Sequence, residues 1–402
     1  MILARRTLLL AGAAAAFAPR LAFAATDKRL VVVILRGAMD GLGAVPPLGD
    51  PAYARQRGEL ALRGDGEDAA LALDGFYGLH PALKTLHGFW TGKELAILHA
   101  THTSYRQRSH FDAQDQLENG ADAPRARDDG WLNRTLGALG GERAGLATGQ
   151  TVPLILRGAT QVGAYAPPQL PGLSGDFARR LADLYAADPV LGPAFAAGVA
   201  AQTQVEDVLG DEGRARDMGR GRFDGARRAP GRLAPVAGAV GKLLADARGP
   251  RIAALEIGGW DTHNAQGAAG GRLAAVLREF DEGMAALREG LGAEWRRTAV
   301  VAITEFGRTV RPNGTGGTDH GTGTAAFAFG GAIAGGKVHA DWPGLADREL
   351  HEGRDLKATT DLRAPLKRLL GDHLGIARAA LDRDVFPESA GVAVFRGDLV
   401  RA

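Results

Sequence analysis

The sequence contains no cysteine, and this absence excludes several kinds of site. A disulfide scaffold, a thiolate metal site and a cysteine nucleophile all require thiols. Any metal ion must therefore be bound by histidine, aspartate and glutamate. Serine is also scarce, because the chain contains only Ser104, Ser109, Ser174 and Ser389. Few residues are therefore available as a serine nucleophile.

The chain also lacks a strong excess of either charge. It has 48 basic and 46 acidic residues, and removal of residues 1–24, with three arginines and no acid, would leave 45 against 46. A nearly neutral protein lacks the basic surface that nucleic acids require, so we expect no nucleic-acid partner. After the N-terminus, no stretch approaches the about 20 apolar residues that span a bilayer. We therefore expect no stable membrane insertion.

The N-terminus has the pattern of a twin-arginine signal peptide. Arg5 and Arg6 precede an apolar stretch at 8–18, and residues 22–24 (Ala-Phe-Ala) form a small-x-small cleavage site. The apolar stretch is shorter than the about 20 residues that span a bilayer, so we expect a cleaved signal rather than a signal-anchor or a buried N-terminal helix. The sequence predicts a signal peptide over 1–24, export by the twin-arginine route and a periplasmic or secreted product.

Short apolar runs alternate with helical patterns after the signal. Leu30 to Leu35 reads LVVVIL, which is typical of a strand buried on both faces. The clearest helical pattern runs from Gly271 to Leu291 and has one apolar stripe. This alternation predicts an α/β fold with a mostly parallel central sheet and helices on both faces, in a single domain over 25–402. The other predicted strands are 95–100, 152–156, 252–257, 298–304 and 324–329.

Two more segments differ from this pattern or extend it. Residues 210–232 are rich in glycine, arginine and aspartate and poor in large apolar residues, which predicts a surface excursion. The tail from Asp361 has helical spacing and is expected to pack on the flank of the sheet.

Polar clusters follow four of the predicted strands, at the end where open α/β sheets bind ligands. The first cluster places Asp40 in a glycine-flanked turn. A later cluster contains Asp261 and His263, whose two-residue spacing puts both side chains on one side of an extended chain. Asp319 and His320 lie in a glycine-flanked loop. Each Asp/His pair could bind a metal ion or, alternatively, could form a capped turn.

Ser109 precedes a predicted helix, where two roles are open. Its hydroxyl could cap the helix, or it could act as a nucleophile near free backbone donors and a metal ion. Thr101, Thr103 and Ser104 are alternative nucleophiles in the same cluster. The candidates for binding phosphate or sulfate are Arg106, Arg108, Arg308 and Arg311, although arginines are also common in solvated surface pairs.

These clusters together resemble a known family. The twin-arginine start, LRGAMDGL, FYGLHPAL, RSHFDAQDQLENG, GGWDTH, TEFGRT and GGTDHGTG are similar to the exported proteins of domain of unknown function family 1501. The resemblance covers nearly the whole chain after the signal. That family is grouped with the alkaline phosphatase and sulfatase superfamily. The resemblance therefore implies an alkaline-phosphatase-like fold with one or two metals at the strand ends.

The resemblance also implies roles for individual residues. The implied metal-site residues are Asp40, Asp261, His263, Asp319 and His320, with Glu305 as a further ligand or a carboxylate behind a ligand. Ser109 would be the nucleophile. The chain lacks the Cys/Ser-x-Pro-x-Arg motif of sulfatases, which argues against a formylglycine-type enzyme.

The sequence and the resemblance predict a metal-dependent hydrolase of phosphate or sulfate esters, acting on a small anionic substrate with Ser109 and Arg308 in catalysis. Mixed histidine and carboxylate ligands suit zinc or manganese, whereas carboxylates alone would suit magnesium or calcium. The alternative is a noncatalytic periplasmic binding or assembly protein with an exported protein partner. A metal carrier or sensor is a third hypothesis.

Overall fold

The computed structural model describes residues 27–140, 145–149, 151–166, 175–209 and 233–401. The predicted signal peptide at 1–24 and the predicted excursion at 210–232 lie outside these residues. No helix within the described ranges is long and apolar enough to cross a membrane.

Contacts divide the chain into two compact units, a division that the sequence did not suggest. Among the described residues, one unit comprises 175–209, and the other comprises 27–166, with its undescribed gaps, and 233–401. The described part of the first unit consists of two helices, in which the rings of Tyr185 and Phe195 meet edge to face at 5.6 Å. All candidate site residues belong to the second unit.

The strands and helices have the following bounds. The strands are β1 (Arg29–Arg36), β2 (Leu71–Ala72), β3 (Gly78–Leu79), β4 (Leu95–His102), β5 (Gly145–Thr148), β6 (Val162–Tyr165), β7 (Ile252–Gly258), β8 (Thr298–Ile303), β9 (Thr324–Phe329), β10 (Lys337–His339) and β11 (Thr360–Asp361). The helices are α1 (Gly41–Ala44), α2 (Tyr53–Arg57), α3 (Lys84–Thr91), α4 (His110–Asn119), α5 (Trp131–Ala138), α6 (Gly175–Tyr185), α7 (Leu191–Leu209), α8 (Leu233–Ala245), α9 (Arg272–Leu291), α10 (Arg363–Leu374) and α11 (Arg378–Ala380).

A nine-stranded sheet forms the centre of the second unit. Its order is β10-β4-β9-β8-β1-β7-β5-β6, with β11 also paired to β4. β1 is parallel to β7 and β8, whereas β9 is antiparallel to both β4 and β8. The other strand pairs of this sheet are parallel, so eight strands run one way and β9 runs the other. The predicted mostly parallel α/β sheet is confirmed.

Helices cover both faces of this sheet. Leu30, Val32 and Ile34 of β1 belong to a core cluster that includes residues of α5 and α10. On the opposite face, Phe280 of α9 contacts the ring of Phe327 in β9 at 6.1 Å. Every residue of β1 from Leu30 to Leu35 is therefore buried, which explains its continuous apolar run.

The predicted strand at 152–156 is wrong. Residues Leu154–Leu156 form a 3₁₀ turn that follows Pro153, whose ring removes a backbone N–H donor. The strand in this part of the sheet is instead β5, a short segment that pairs with β6 and β7. The helix predicted over Gly271–Leu291 and the helix predicted in the tail are confirmed as α9 and α10.

The direction of β9 determines where the site forms. The parallel strands β1, β7 and β8 all end at one edge of the sheet. Because β9 runs the other way, it begins at that edge, and the loop at 304–323 starts and finishes there. Segments that follow β1, β7 and β8 and the segment that precedes β9 therefore come together.

Candidate metal centre

Three histidines and one aspartate meet beyond the strand ends. The Nε2 atoms of His110, His263 and His320 lie 3.5, 3.0 and 3.2 Å from Oδ1 of Asp261. The Nε2 atoms of His263 and His320 are 3.0 Å apart. Among the described residues, His110, Asp261 and His320 form a group that could hold a metal ion, with their ligand atoms all within 4.8 Å of one another. His263 adjoins this group.

In each of these histidines, the second ring nitrogen, Nδ1, contacts an oxygen atom of the protein. The Nδ1 partners are Glu305 Oε1 for His110 (2.8 Å), Asp319 Oδ1 for His263 (3.2 Å) and the carbonyl oxygen of Arg108 for His320 (2.9 Å). Carbonyl and ionised carboxylate oxygens only accept hydrogen bonds, so each Nδ1 carries the proton. In a neutral imidazole, Nε2 then presents a lone pair, as in a metal-ligating histidine.

The spacing of these atoms fits a bound cation. Two Nε2 lone pairs at 3.0 Å repel each other unless a proton or a metal ion lies between them. Zinc bonds of about 2.0 Å in a tetrahedron place neighbouring ligand atoms about 3.3 Å apart, close to the observed separations. His110 Nε2 is buried and makes no hydrogen bond to the described residues. The donor set and this unpaired nitrogen therefore fit a divalent transition metal.

The charges around the histidines favour a cation as well. Asp261, Glu305 and Asp319 supply three carboxylates, and Arg308 supplies one guanidinium, so their formal charges sum to −2. In the metal-free protein, burial would lower the pKa of His110, but the adjacent carboxylates of Asp261 and Glu305 raise it to about 9. In the absence of a metal ion, a proton on His110 can therefore supply part of the positive charge that the metal would bring.

Glu305 lies behind His110 and is fully buried. Its Oε1 accepts hydrogen bonds from His110, from Nε2 of Gln114 at 2.9 Å and from the backbone N–H of Gly37 at 2.9 Å. His110 and Gln114 are one helical turn apart on α4, so both reach the same carboxylate. Burial raises the pKa of Glu305, but the hydrogen bonds from His110 and Gln114 lower it below its ordinary value.

Gly37 permits the close approach of the β1 and β7 loops. It adopts a φ of +120°, and a Cβ atom there would lie 2.8 Å from the backbone nitrogen of Asp261. Any other residue would therefore push Asp261 away from the histidines.

Arg308 holds Asp261 and is not free to bind substrate in this structure. Its Nη1 donates to Oδ1 of Asp261, while its Nε donates to the Thr318 hydroxyl at 3.1 Å. The side chain is completely buried. Burial raises the pKa of Asp261, but the adjacent imidazoles of His110 and His320 and the Arg308 guanidinium hold it well below its usual range. Arg308 was predicted to grip an anion, whereas it neutralises a protein carboxylate.

Asp40 lies outside the group that could hold a metal ion. Its Oδ1 caps α1 by accepting from the backbone N–H groups of Leu42 and Gly43, each at 3.1 Å. Its Oδ2 accepts from Nη2 of Arg57 and, at 2.6 Å, from Nε2 of Gln266. Donors from the protein thus use both carboxylate oxygens, and Asp40 acts here as a helix cap and the partner of a buried arginine.

Ser109 is the residue before α4, and its side chain makes no capping hydrogen bond. The three alternative nucleophiles are engaged elsewhere. Thr101 donates to the carbonyl of Thr324 and Thr103 to that of Glu305, while Ser104 accepts from Gln116. Ser109 therefore remains the hydroxyl next to His110 that has no such commitment among the described residues.

The other predicted anion-binding arginines are also engaged. Arg106 donates to the carbonyl of Tyr105 at 3.0 Å, and Arg311 to that of Gly353 at 3.0 Å. Arg108 forms an ion pair with Asp355 at 2.8 Å. All four arginines predicted to bind an anion thus have partners within the protein.

His110 is the residue of the centre that sequence reasoning missed. It lies inside the segment RSHFDAQDQLENG, immediately after Ser109. A histidine in the first turn of a helix that follows a strand end, with Gln114 one turn later, was an available signal. Arg57 and Gln266, the partners of Asp40, carried no comparable signal.

The comparison with protein families assigns the chain to a family. A family described as protein of unknown function (DUF1501) matches residues 88–385. The chain belongs to this family. His110, Asp261, His263 and His320 all lie within the matched part, whereas Asp40 precedes it. Among curated proteins, none matches the chain.

The chain is also similar to solved structures, three of which share 10–11% sequence identity with it. The C-terminal periplasmic domain of EptC from Escherichia coli, in complex with zinc, is 11% identical, with a TM-score of 0.42 and coverage of 93% of this chain and 92% of that one. A structure from work on glycosaminoglycan metabolism by Bacteroides thetaiotaomicron is 11% identical, with a TM-score of 0.41 and coverage of 92% and 79%. The phosphonate monoester hydrolase of Agrobacterium radiobacter is 10% identical, with a TM-score of 0.31 and coverage of 87% and 74%.

Proposed function

We propose that this protein is an exported, metal-dependent hydrolase of phosphate or sulfate esters. The observation that carries the proposal is the convergence of three imidazole Nε2 atoms on Oδ1 of Asp261. His110, His263, His320 and Asp261 would hold the metal ion. A divalent metal bound there would polarise an ester oxygen and stabilise the charge of the leaving group.

The protein groups around this position have separate tasks. Glu305, Asp319 and the Arg108 carbonyl keep each Nδ1 protonated and so keep each Nε2 available as a ligand. Asp261 is 41% exposed and His263 44%, so a small ester can reach them from solvent. Because imidazoles dominate the donor set, we propose zinc or another transition metal that prefers imidazole ligands, rather than magnesium or calcium.

Ser109 is the proposed nucleophile. It stands at the N-terminus of α4, where unpaired backbone N–H groups favour an anionic group. Its hydroxyl is half-buried and is not used as a helix cap. His110 follows it directly, which brings the hydroxyl into the same turn as a proposed metal ligand.

The noncatalytic binding or assembly protein stays as a second candidate for one specific reason. The four arginines that could have gripped a phosphate or sulfate group are engaged with protein partners. A protein that had lost its substrate site would keep the metal centre and recognise an exported partner instead.

Metal content and turnover distinguish these functions. We would measure the metal in the mature protein and in His320→Ala, with Arg311→Ala as a control because Arg311 makes a surface ion pair with Asp347. Aryl phosphates, phosphonates and sulfates would then be tested with zinc, manganese, magnesium and calcium. We expect stoichiometric metal and ester turnover in the wild type and in Arg311→Ala, and loss of both in His320→Ala.

The other outcomes would decide against the hydrolase. Stoichiometric metal without turnover of any ester would favour the noncatalytic protein. Failure of the wild type to bind any of the four metals would remove the metal-dependent function altogether. Turnover that survives in Ser109→Ala would exclude Ser109 as the nucleophile while leaving the metal centre in place.

A further inference from the structure

His320 is held by two arginines that approach it from different parts of the chain. The carbonyl oxygen of Arg108, from the loop after β4, accepts from Nδ1 of the imidazole at 2.9 Å. The guanidinium of Arg354 donates to the backbone carbonyl of His320 at 2.6 Å. One contact orients the ring and the other holds the backbone that carries it.

A single buried carboxylate joins these two arginines. Asp355 is fully buried and forms ion pairs with Arg108 at 2.8 Å and with Arg354 at 3.1 Å. A second contact, from Nε of Arg108 at 3.1 Å, makes its pairing with Asp355 two-pronged. Asp355 itself does not belong to the group of potential metal ligands.

The backbone of Arg108 needs such an anchor. Its φ of +61° lies in the left-handed region, which a residue with a Cβ rarely adopts unless its surroundings hold it there. This conformation aims the carbonyl at His320. Arg108 also lies two residues before His110, so the same anchor fixes the entry into α4.

We propose that Arg108, Arg354 and Asp355 form a positioning group, the His320 clamp, that sets the ring orientation and the Nδ1-protonated tautomer of His320. The proposal rests on the metal centre proposed above. Without the clamp, the Arg108 carbonyl would leave Nδ1, and Nε2 would lose its fixed role as a ligand. Loss of such an outer partner typically lowers metal affinity by about 10- to 100-fold.

Asp355→Asn tests the clamp, with Glu352→Gln as the matched control. Glu352 also pairs with Arg108, but it is 56% exposed and does not contact His320. We would measure zinc affinity by titration calorimetry and the His320 tautomer by ¹⁵N NMR of the metal-free protein. The His320→Ala spectrum would assign the signal. We expect Asp355→Asn to bind zinc about 10- to 100-fold more weakly and to lose the pure Nδ1–H form, while Glu352→Gln matches the wild type.

The outcomes separate the clamp from the metal centre. Wild-type zinc affinity together with an unchanged tautomer in Asp355→Asn would overturn the clamp. If the wild type binds no zinc, the metal centre fails, and the tautomer measurement still decides on the clamp. If Asp355→Asn does not fold, Arg354→Gln takes its place, because it removes only the contacts of a half-exposed guanidinium. An unchanged affinity and an unchanged tautomer there would equally overturn the proposal.

Discussion

Asp40 and Asp261 are both aspartates that follow a strand of the central sheet and pair with a buried arginine, yet they differ in what surrounds them. Asp40 is 1% exposed and receives hydrogen bonds from four protein donors, namely two backbone N–H groups, Arg57 and Gln266. Asp261 is 41% exposed, and besides Arg308 it contacts three imidazole nitrogens. A carboxylate whose two oxygens are both satisfied by protein donors is structural, whereas Asp261 lies in a group that could hold a metal ion.

A buried chain of polar groups connects the two regions. Gln266 donates to Asp40 and accepts from the hydroxyl of Thr318 at 2.7 Å. Thr318 in turn accepts from Arg308, the partner of Asp261. Asp40 is thus linked, through Gln266 and Thr318, to the arginine that holds Asp261.

The largest effect is expected at Arg57. Arg57→Ala leaves the carboxylate of Asp40 buried without its charge partner, which costs about 3–5 kcal/mol of unfolding free energy. Urea unfolding would measure the loss in metal-free protein. Arg311→Ala, which breaks an exposed ion pair, should cost less than about 1 kcal/mol. Equal losses in the two variants would show that Asp40 is not structural.

Metal should stabilise the protein through Asp261 and the histidines but not through Asp40. A metal ion at 100 times its dissociation constant should raise the unfolding free energy of the wild type by about 2.7 kcal/mol. Asp40→Asn should have a lower unfolding free energy than the wild type without metal, but metal should raise it by the same amount. In His320→Ala, metal should not raise the unfolding free energy. Thermal unfolding with and without metal measures both. If metal stabilised His320→Ala but not Asp40→Asn, Asp40 and not His320 would belong to the metal centre.

The smallest effect is expected in the pH dependence of the metal-free protein. The pKa of His110 is raised to about 9, so its stabilising contribution is complete below about pH 6.5 and is lost as the pH rises through 9. Because part of the imidazole is exposed, we expect a loss of about 1–2 kcal/mol. His110→Gln should lack this loss between pH 6 and 10 when unfolding is followed with a chelator. If the unfolding free energies of the wild type and His110→Gln changed equally with pH, the predicted contribution of His110 would be contradicted.

The sheet was largely predictable because its strands differ from their surroundings. Runs such as Leu30–Leu35 are buried on both faces and therefore uninterrupted. The run at 152–156 has a similar composition, but Pro153 and the packing of Leu154–Leu156 favour a 3₁₀ turn. β5 is four residues long and contains Gly145, so its local sequence carries little strand preference.

The candidate site was less predictable, since the role of each residue depends on distant partners. Asp261 and His263 were predicted from their spacing. His110 becomes a candidate ligand only through distant partners: Asp261 and His320 lie beside its Nε2, and Glu305, 195 residues away, holds its Nδ1. The sequence cannot distinguish an arginine that binds a substrate anion from one that pairs with a protein carboxylate. Only the contact with Asp261, 47 residues away, shows that Arg308 pairs with a carboxylate. Local pattern indicates which residue types are available but not which neighbours satisfy them. The ligand and catalytic roles of all these residues stay predictions for the experiments above.

The reversed direction of β9 also bears on how the centre assembles during folding. Glu305, Arg308, Asp319 and His320 all belong to the connection between two adjacent antiparallel strands, β8 and β9. Contacts that are close in sequence form at a smaller cost in chain entropy than distant ones. We expect this half of the centre to form early, with the β8–β9 pair. His110 and Asp261 then complete the centre when the remaining parallel strands dock.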